Sequence, residues 1–348
     1  MLNFLIKRIA YGVLVLIGVV IVVFFLFQGF GDPARLVLGQ SGDSTTIENV
    51  RKELALDQPK WKQFILYLND VSPVSINTQQ EIQAKQLKGF FFGGKEKLGF
   101  KIPYLRRSYQ TKQQVSEILA DALPGTIILA FSAIIFAILA GIPLGILSAV
   151  KQNTWLDSSA VFVSVLGISA PSFFIGIIIA YVFGFILHQF TGLYMTGSLY
   201  EYDAIKGKHL ALQNLLLPAV TLGIRPLAII VQLTRSAMLD VMNKDYIRTA
   251  FAKGLSKDAV VRKHALPNAL NPVMTAVTGW FAELLAGAFF VEYIFNWKGI
   301  GKTTVDALSE LDFPVVMGSV IVTAAFFVAV NILADVLYGV IDPRIRIK

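Results

Sequence analysis

Six apolar runs dominate this chain and leave few folds open to it: residues 9–30, 126–150, 158–187, 210–237, 269–291 and 314–338. A hydrocarbon core is crossed by about 20 helical residues. Each run meets that length. In lipid every backbone N–H and C=O must be paired inside the protein, so six separated runs of this length are read as helices. Only 16% of the residues are charged, against about 25% in soluble domains, and the mean hydropathy is +0.63. The expectation is an all-α integral membrane protein with six transmembrane helices.

The first run follows Lys7 and Arg8 in the manner of a secretory signal. It is too long for one, and Gly31-Asp32-Pro33 is no small-residue cleavage site, so it is read as a retained helix. Orientation comes from the basic residues of the short connections. Lys7 and Arg8, Lys151, the stretch from Arg235 to Lys263, and Arg344, Arg346 and Lys348 all fall on one side if six helices alternate. That side is expected to be the cytoplasm, with both termini inside. The expected organisation is an N-terminal helix to residue 30, an extracytoplasmic segment 31–125, a five-helix core 126–340 with a cytoplasmic loop 239–268, and a tail 341–348. The outer segment carries Trp61, Phe64, Tyr67 and Phe90-Phe91-Phe92, which suits a small, partly folded cap better than a flexible linker.

The net charge of +8 does not point to nucleic acid, because the basic residues sit beside apolar runs, where they set topology. There is no cysteine, which excludes disulfides, thiolate nucleophiles and cysteine-ligated metals. The three histidines do not assemble a metal site: His188 and His209 fall outside and His264 inside. Two near misses to a phosphate-cradling loop fail on composition. Gly89 to Lys95 is followed by Glu96, and Gly301-Lys302-Thr303 has Asn296 where the first glycine belongs. No serine, histidine and carboxylate can be brought together on one side. No catalytic or metal residue is therefore assigned.

Charge within lipid is costly, so Arg225, Glu283 and Asp335 should face protein, water or a partner charge. Arg225 and Glu283 lie nearest mid-membrane and either pair with each other or line an aqueous path. Asp335, with Tyr338, lies near the cytoplasmic end of the last run, where basic flanks can neutralise it. Asn331 joins these three as an intramembrane polar candidate. Gly141 and Gly145, and Ala282 and Ala286, have the spacing that lets membrane helices approach closely. Pro143 and Pro171 are expected to kink two helices.

The stretch 246–268 is different in kind: polar, basic and bounded by two apolar runs. Residues 248–252 can form a short helix, Gly254 supplies a turn where a left-handed backbone costs little, and a second helix from Ser256 should stop near Pro267. This stretch resembles the coupling loop of bacterial ABC importer permeases. Gly254, His264, Leu266 and Pro267 keep that spacing, while Arg248-Thr249-Ala250 replaces the general Glu-Ala-Ala, as in the dipeptide and oligopeptide branch. Further matches are Gly31-Asp32-Pro33-Ala34, Ala122-Leu123-Pro124-Gly125-Thr126, Ser169-Ala170-Pro171-Ser172-Phe173, Leu233-Thr234-Arg235-Ser236, and Asn331 to Asp335 with Asp342-Pro343-Arg344. Two departures are the outer segment from Trp61 to Tyr109 and Gln232, which stands where arginine is common.

The resemblance implies a type I importer permease of the bacterial inner membrane, with no catalysis in this chain. ATP and magnesium belong to two cytoplasmic ATPase subunits. A second, different permease chain completes the pathway in the lipid, and an extracytoplasmic binding protein delivers cargo. It also implies that Tyr246, Arg248, Thr249, Ala250, Ala252, Gly254, Leu255, His264, Leu266 and Pro267 form the ATPase-docking loop. Cargo would be dipeptides or oligopeptides, with nickel complexes as the alternative inside the family. The alternative outside it is an ion-coupled secondary carrier, which would call for internal repeats and paired mid-depth carboxylates.

Overall fold

The computed structural model describes residues 2–28, 51, 56–203 and 207–341. Gly31-Asp32-Pro33-Ala34 and the tail from Asp342 lie outside the described residues, as do the side chains of Ala282, Ala286 and Tyr338.

Helix α1 (Leu2–Gln28) comes first, followed by α2 (Lys60–Val71). Strand β1 (Val74–Thr78), helix α3 (Gln79–Ala84), β2 (Gly89–Gly93) and β3 (Glu96–Lys101) come next. Then follow α4 (Val115–Val150), α5 (Trp155–Ser169) and α6 (Ser172–Tyr181), which passes through a π turn at Val182–Ile186 into α7 (His188–Thr191). After the hairpin β4 (Tyr200–Asp203) and β5 (Gly207–Leu210) stands α8 (Gln213–Met242). The remaining helices are α9 (Asp245–Ala252), α10 (Lys257–Val260), α11 (Leu266–Gly287), α12 (Phe289–Ile294), α13 (Ile300–Ser309) and α14 (Phe313–Ile341).

Among the described residues four helices are long and apolar enough to cross a membrane: Phe4–Gln28, Val115–Val150, Gln213–Met242 and Phe313–Val336. The run 158–187 is not one straight span. It breaks between Ser169 and Ser172 with a 110° bend. Pro171 causes the break, since it is the N-cap of α6 and forces Ala170 into an extended conformation. Counting the bent pair as one span makes five. The run 269–291 lies on α11 and α12. Pro143, by contrast, stays inside a continuous α4, as does Pro124, and α4 begins at Val115, well ahead of its apolar run.

The chain is mostly helical but not all-α. Residues 74–78 and 96–101 alternate in burial with a period of two, and they pair antiparallel in the order β1-β3-β2. That alternation is the strand period of two, carried in segments far shorter than the apolar runs.

Two compact units can be distinguished. In the unit comprising 6–123 and 303–328, Val20 and Phe24 of α1 join Tyr67, Val71, Leu119 and Val316 in one buried cluster. The sheet's inner face meets α2, where Asn69 Nδ2 donates to the Ile76 carbonyl and Ile76 N–H donates back to Asn69 Oδ1. Lys101 donates to the carbonyls of Asp70 and Ser72, and burial pulls its ammonium down to about 8. In the unit built around 124–302, α4 packs on α8. A carbon added at Gly141 would lie 2.9 Å from Ile230 Cγ2, and one at Gly145 2.6 Å from Thr234 Cβ. These glycines are contact points between helices of this one chain.

Candidate functional site

Helix α9 is eight residues long, too short to be stable alone, so its seat decides its position. Ile247 and Ala250 point inward and are buried with Met238 of α8, Val260, Val261, Ala265 and Ala269. The outward face carries Tyr246, Arg248, Thr249 and Ala252, all exposed. Thr249 Oγ1 donates to the Asp245 carbonyl at 3.0 Å, and Arg248 pairs with Asp245 at 3.4 Å. The chain then reverses at Gly254, whose φ of +81° is the left-handed region where glycine is favoured. Its N–H donates to the Phe251 carbonyl at 2.9 Å. Leu255 is exposed beside it, and Ser256 caps α10 through the Ala259 N–H.

The second helix does not stop near Pro267. A π turn at Val261–Ala265 carries α10 directly into α11, and Pro267 occupies the first turn, where its missing N–H has no partner to lose. His264 and Leu266 are half-buried and Pro267 is exposed. The result is a short helix held at the end of α8 and α11, with an apolar underside and an open outer face.

A polar clamp secures the neighbouring turn. Asp157 Oδ1 accepts from Arg235 Nε at 2.6 Å and its Oδ2 from Arg235 Nη2 at 2.8 Å. Ser148 Oγ donates to the same carboxylate at 2.5 Å and Asn153 N–H at 3.0 Å. Bidentate pairing of this kind fixes geometry as well as charge. It ties the turn between α4 and α5 to α8, about two helical turns before the end of α8 at Met242.

A second polar centre lies where the apolar run 126–150 begins and just past the end of the run 269–291. Glu292 is completely buried and accepts from Thr126 Oγ1 at 2.7 Å and from Lys302 N–H at 3.1 Å, on the N-terminus of α13. Thr126 Oγ1 in turn accepts from Ile300 N–H at 2.8 Å, and Trp297 Nε1 donates to the Gly125 carbonyl at 2.9 Å. A carbon added at Gly299 or Gly301 would strike the Glu292 carboxylate at 2.4 or 2.8 Å, and one at Gly125 the Lys298 carbonyl at 1.8 Å. Burial pushes the Glu292 carboxyl up to about 7, against the hydrogen bonds from Thr126, Lys302 and Gly301.

Arg225 and Glu283 do not pair with each other among the described residues. Arg225 stands over the Trp280 ring at 5.5 Å, and both charged residues are exposed on the single chain. Asn331 and Asp335 are half-buried on α14 and each has a partner. His188 contacts the Leu193 carbonyl at 2.6 Å and His209 the Gly207 carbonyl at 3.4 Å. Among the described residues no group of three or more His, Cys, Asp or Glu is placed to hold a metal. Of the two near-miss phosphate loops, Gly89–Gly93 is strand β2, and Gly301-Lys302 opens α13 around the Glu292 carboxylate.

Neither Glu292 nor Asp157 was singled out by the sequence. The available signal for Glu292 was an acid just past an apolar run with Gly299-Ile300-Gly301 downstream, the glycine pattern of a backbone that must approach an anion closely.

The family model of the binding-protein-dependent transport system inner membrane component matches residues 141–347, and its N-terminal companion matches 1–130. The chain belongs to this family. Relatives align end to end. A dipeptide transport system permease of Alkalihalophilus pseudofirmus is 34% identical over 99% of this chain and 100% of its own length. A probable D,D-dipeptide transport system permease of Escherichia coli K12 is 37% identical over 96% and 94%, and the glutathione transport system permease of that strain 34% over 100% of both. Likeness to solved chains is looser: one from an inward-facing methionine ABC transporter is 17% identical, covers 65% of this chain and 97% of that one, and has a TM-score of 0.49. This permease is thus a multi-pass membrane subunit of an ABC importer, and such a subunit works with other permease and ATPase subunits.

Proposed function

We propose that this permease forms half of a translocation pathway for short peptides and receives the ATPase stroke through α9. In this reading the chain has six membrane helices, α11 being the fifth, with both termini and α9 in the cytoplasm of a bacterium bounded by its inner membrane. The observation that carries it is the seating of α9: a short helix with its apolar side locked onto α8 and α11 and its outer side free to be gripped. A helix so held transmits a push as rigid-body motion of the two long helices, and needs no chemistry of its own. Tyr246, Arg248, Thr249, Ala252 and Leu255 present the docking face, with Gly254 shaping its edge. Ala250 acts from beneath, and His264, Leu266 and Pro267 brace the return into α11. ATP and magnesium are held by two cytoplasmic ATPase subunits, the second half of the pathway by a different permease chain, and cargo arrives on an extracytoplasmic binding protein. The names of the relatives, dipeptide, D,D-dipeptide and glutathione permeases, support peptide cargo over a nickel complex, and family membership displaces the ion-coupled carrier.

Gly254 provides the test. A carbon added there meets nothing within 4 Å, so a substitution acts through the +81° backbone and not through a clash. In proteoliposomes carrying the co-purified subunits, Gly254→Val should abolish ATP-driven uptake of a labelled dipeptide. Gly254→Asn, which tolerates the left-handed region, should retain much of it. Undiminished uptake with valine would remove α9 from the coupling route.

A further inference from the structure

The sheet β1-β3-β2 has one covered face and one bare face. On the bare face the register aligns Val74 with Phe100 and Phe100 with Phe90, then Ile76 with Leu98 and Leu98 with Phe92. Two transverse rows of three apolar side chains result, all exposed, with Phe90 at 75% and Phe92 at 70%. Among the described residues of this unit nothing covers them, although the inner face is occupied by Ser75, Asn77 and Lys101 against α2. Six exposed apolar side chains in adjoining rows mark an interaction surface.

Three observations bear on what that surface meets. First, the sheet is moored at membrane level. Phe24, one turn from the end of α1, packs its ring 5.1 Å from Phe64 and 5.6 Å from Tyr67 of α2. Asn69, which holds β1, is only two residues beyond Tyr67. Second, the surroundings are basic. Residues 56–114 hold ten Lys and Arg against four Asp and Glu, and Lys88 and Lys95 at the two ends of β2 are exposed, Lys88 in a solvent-exposed 3.4 Å pair with Glu117 that a lipid phosphate can replace. Third, the face is built from Phe, Leu, Ile and Val, without the Tyr, Trp and Arg that enrich protein interfaces. Apolar side chains flanked by Lys88 and Lys95, with Glu96 at the edge of the same face, suit a layer that is hydrocarbon below and phosphate above.

We propose that this sheet lies on the bilayer leaflet of its own side, its bare face dipping into the acyl boundary and Lys88 and Lys95 resting on anionic lipid phosphates. The sheet is then a second, shallow membrane contact beside α1, and it fixes the attitude of the segment 56–114 above the lipid. None of this depends on the coupling role of α9.

The absence of cysteine in the chain makes the test direct. Full-length protein with its co-purified subunits carries a single cysteine, Phe92→Cys or, as control, Gln80→Cys on exposed α3, labelled with bimane. It is reconstituted in phosphatidylcholine vesicles with or without phosphatidylglycerol. The label at 92 should be quenched severalfold more by headgroup-region nitroxide lipid than the label at 80, and severalfold less by aqueous iodide. Phosphatidylglycerol should deepen the difference, and Lys88→Glu with Lys95→Glu should remove that added depth. Equal iodide quenching at both positions overturns the proposal. Shielding of position 92 from both quenchers overturns it as well, because the face would then be covered by protein. Either failure leaves the importer assignment and the Gly254 experiment untouched.

Discussion

The seat of α9 and the knot around Glu292 both hold a short helix in place, but by opposite means. Under α9 the contacts are apolar: Ile247, Ala250, Val260 and Ala265 fill a buried cluster while every polar side chain of the helix faces out. Around Glu292 the contacts are polar and collared by glycine, with Gly125, Gly299 and Gly301 leaving no room for one more carbon. Apolar packing is non-directional and yields gradually to substitution. A buried carboxylate is held by directed bonds or not at all, so the knot should fail abruptly. The helix proposed to be gripped and moved has the forgiving seat. The helix start at Ile300 has the unforgiving one.

The sharpest way to break this contrast is Gly125→Ala. With the Lys298 carbonyl 1.8 Å from the added carbon, backbone must move, and the expected cost exceeds about 4 kcal/mol, read as loss of folded protein in detergent. A variant that accumulates normally and melts like the parent would show the collar to be loose. Ile247→Ala should cost about 3 kcal/mol in denaturant unfolding, because its side chain is fully buried, yet leave a folded protein with impaired coupling.

Acidity separates the two regions further. With the Glu292 carboxyl raised from its ordinary 4.5 to about 7 in the folded state, the protonated form is the stabilising one. Its contribution is complete below about 4.5 and is lost as pH rises through about 7. Stability measured at about pH 5 should exceed that at about pH 8 by about 2 kcal/mol from this group, and Glu292→Gln should flatten the difference. A profile unchanged by glutamine would mean that other groups set it. The smallest effect belongs to the outer face of α9: Tyr246→Ala should change unfolding by less than about 0.5 kcal/mol while lowering ATP-driven uptake, a split that a purely structural tyrosine would not produce.

Much of the architecture is legible from local pattern. The long helices, the short helix before Gly254 and the turn at Gly254 follow from apolar run length, polarity and the absence of a side chain. Local pattern misled where neighbouring elements intervened. Pro267 was expected to end a helix, yet a π turn delivers it to a first turn, where proline is harmless. Pro171 was expected to kink a span and instead divides it by 110°. The sheet leaves its mark in the alternation of 96–101, but strands of five or six residues stand out little beside apolar runs of about 20.

The sequence by itself determined the class of this protein, most of its spanning helices, the place of the short helix before Gly254 and, through whole-length likeness, its family. Run length, charge and glycine are properties of neighbouring residues, and a membrane makes them nearly sufficient. Only the tertiary structure decided that Asp157 clamps Arg235, that Thr126 and Glu292 meet across 166 residues of sequence, and that Arg225 lies over Trp280 without pairing to Glu283. A buried charge must have a partner, and its own sequence does not say which one, because that choice is made by helices packed side by side from distant parts of the chain.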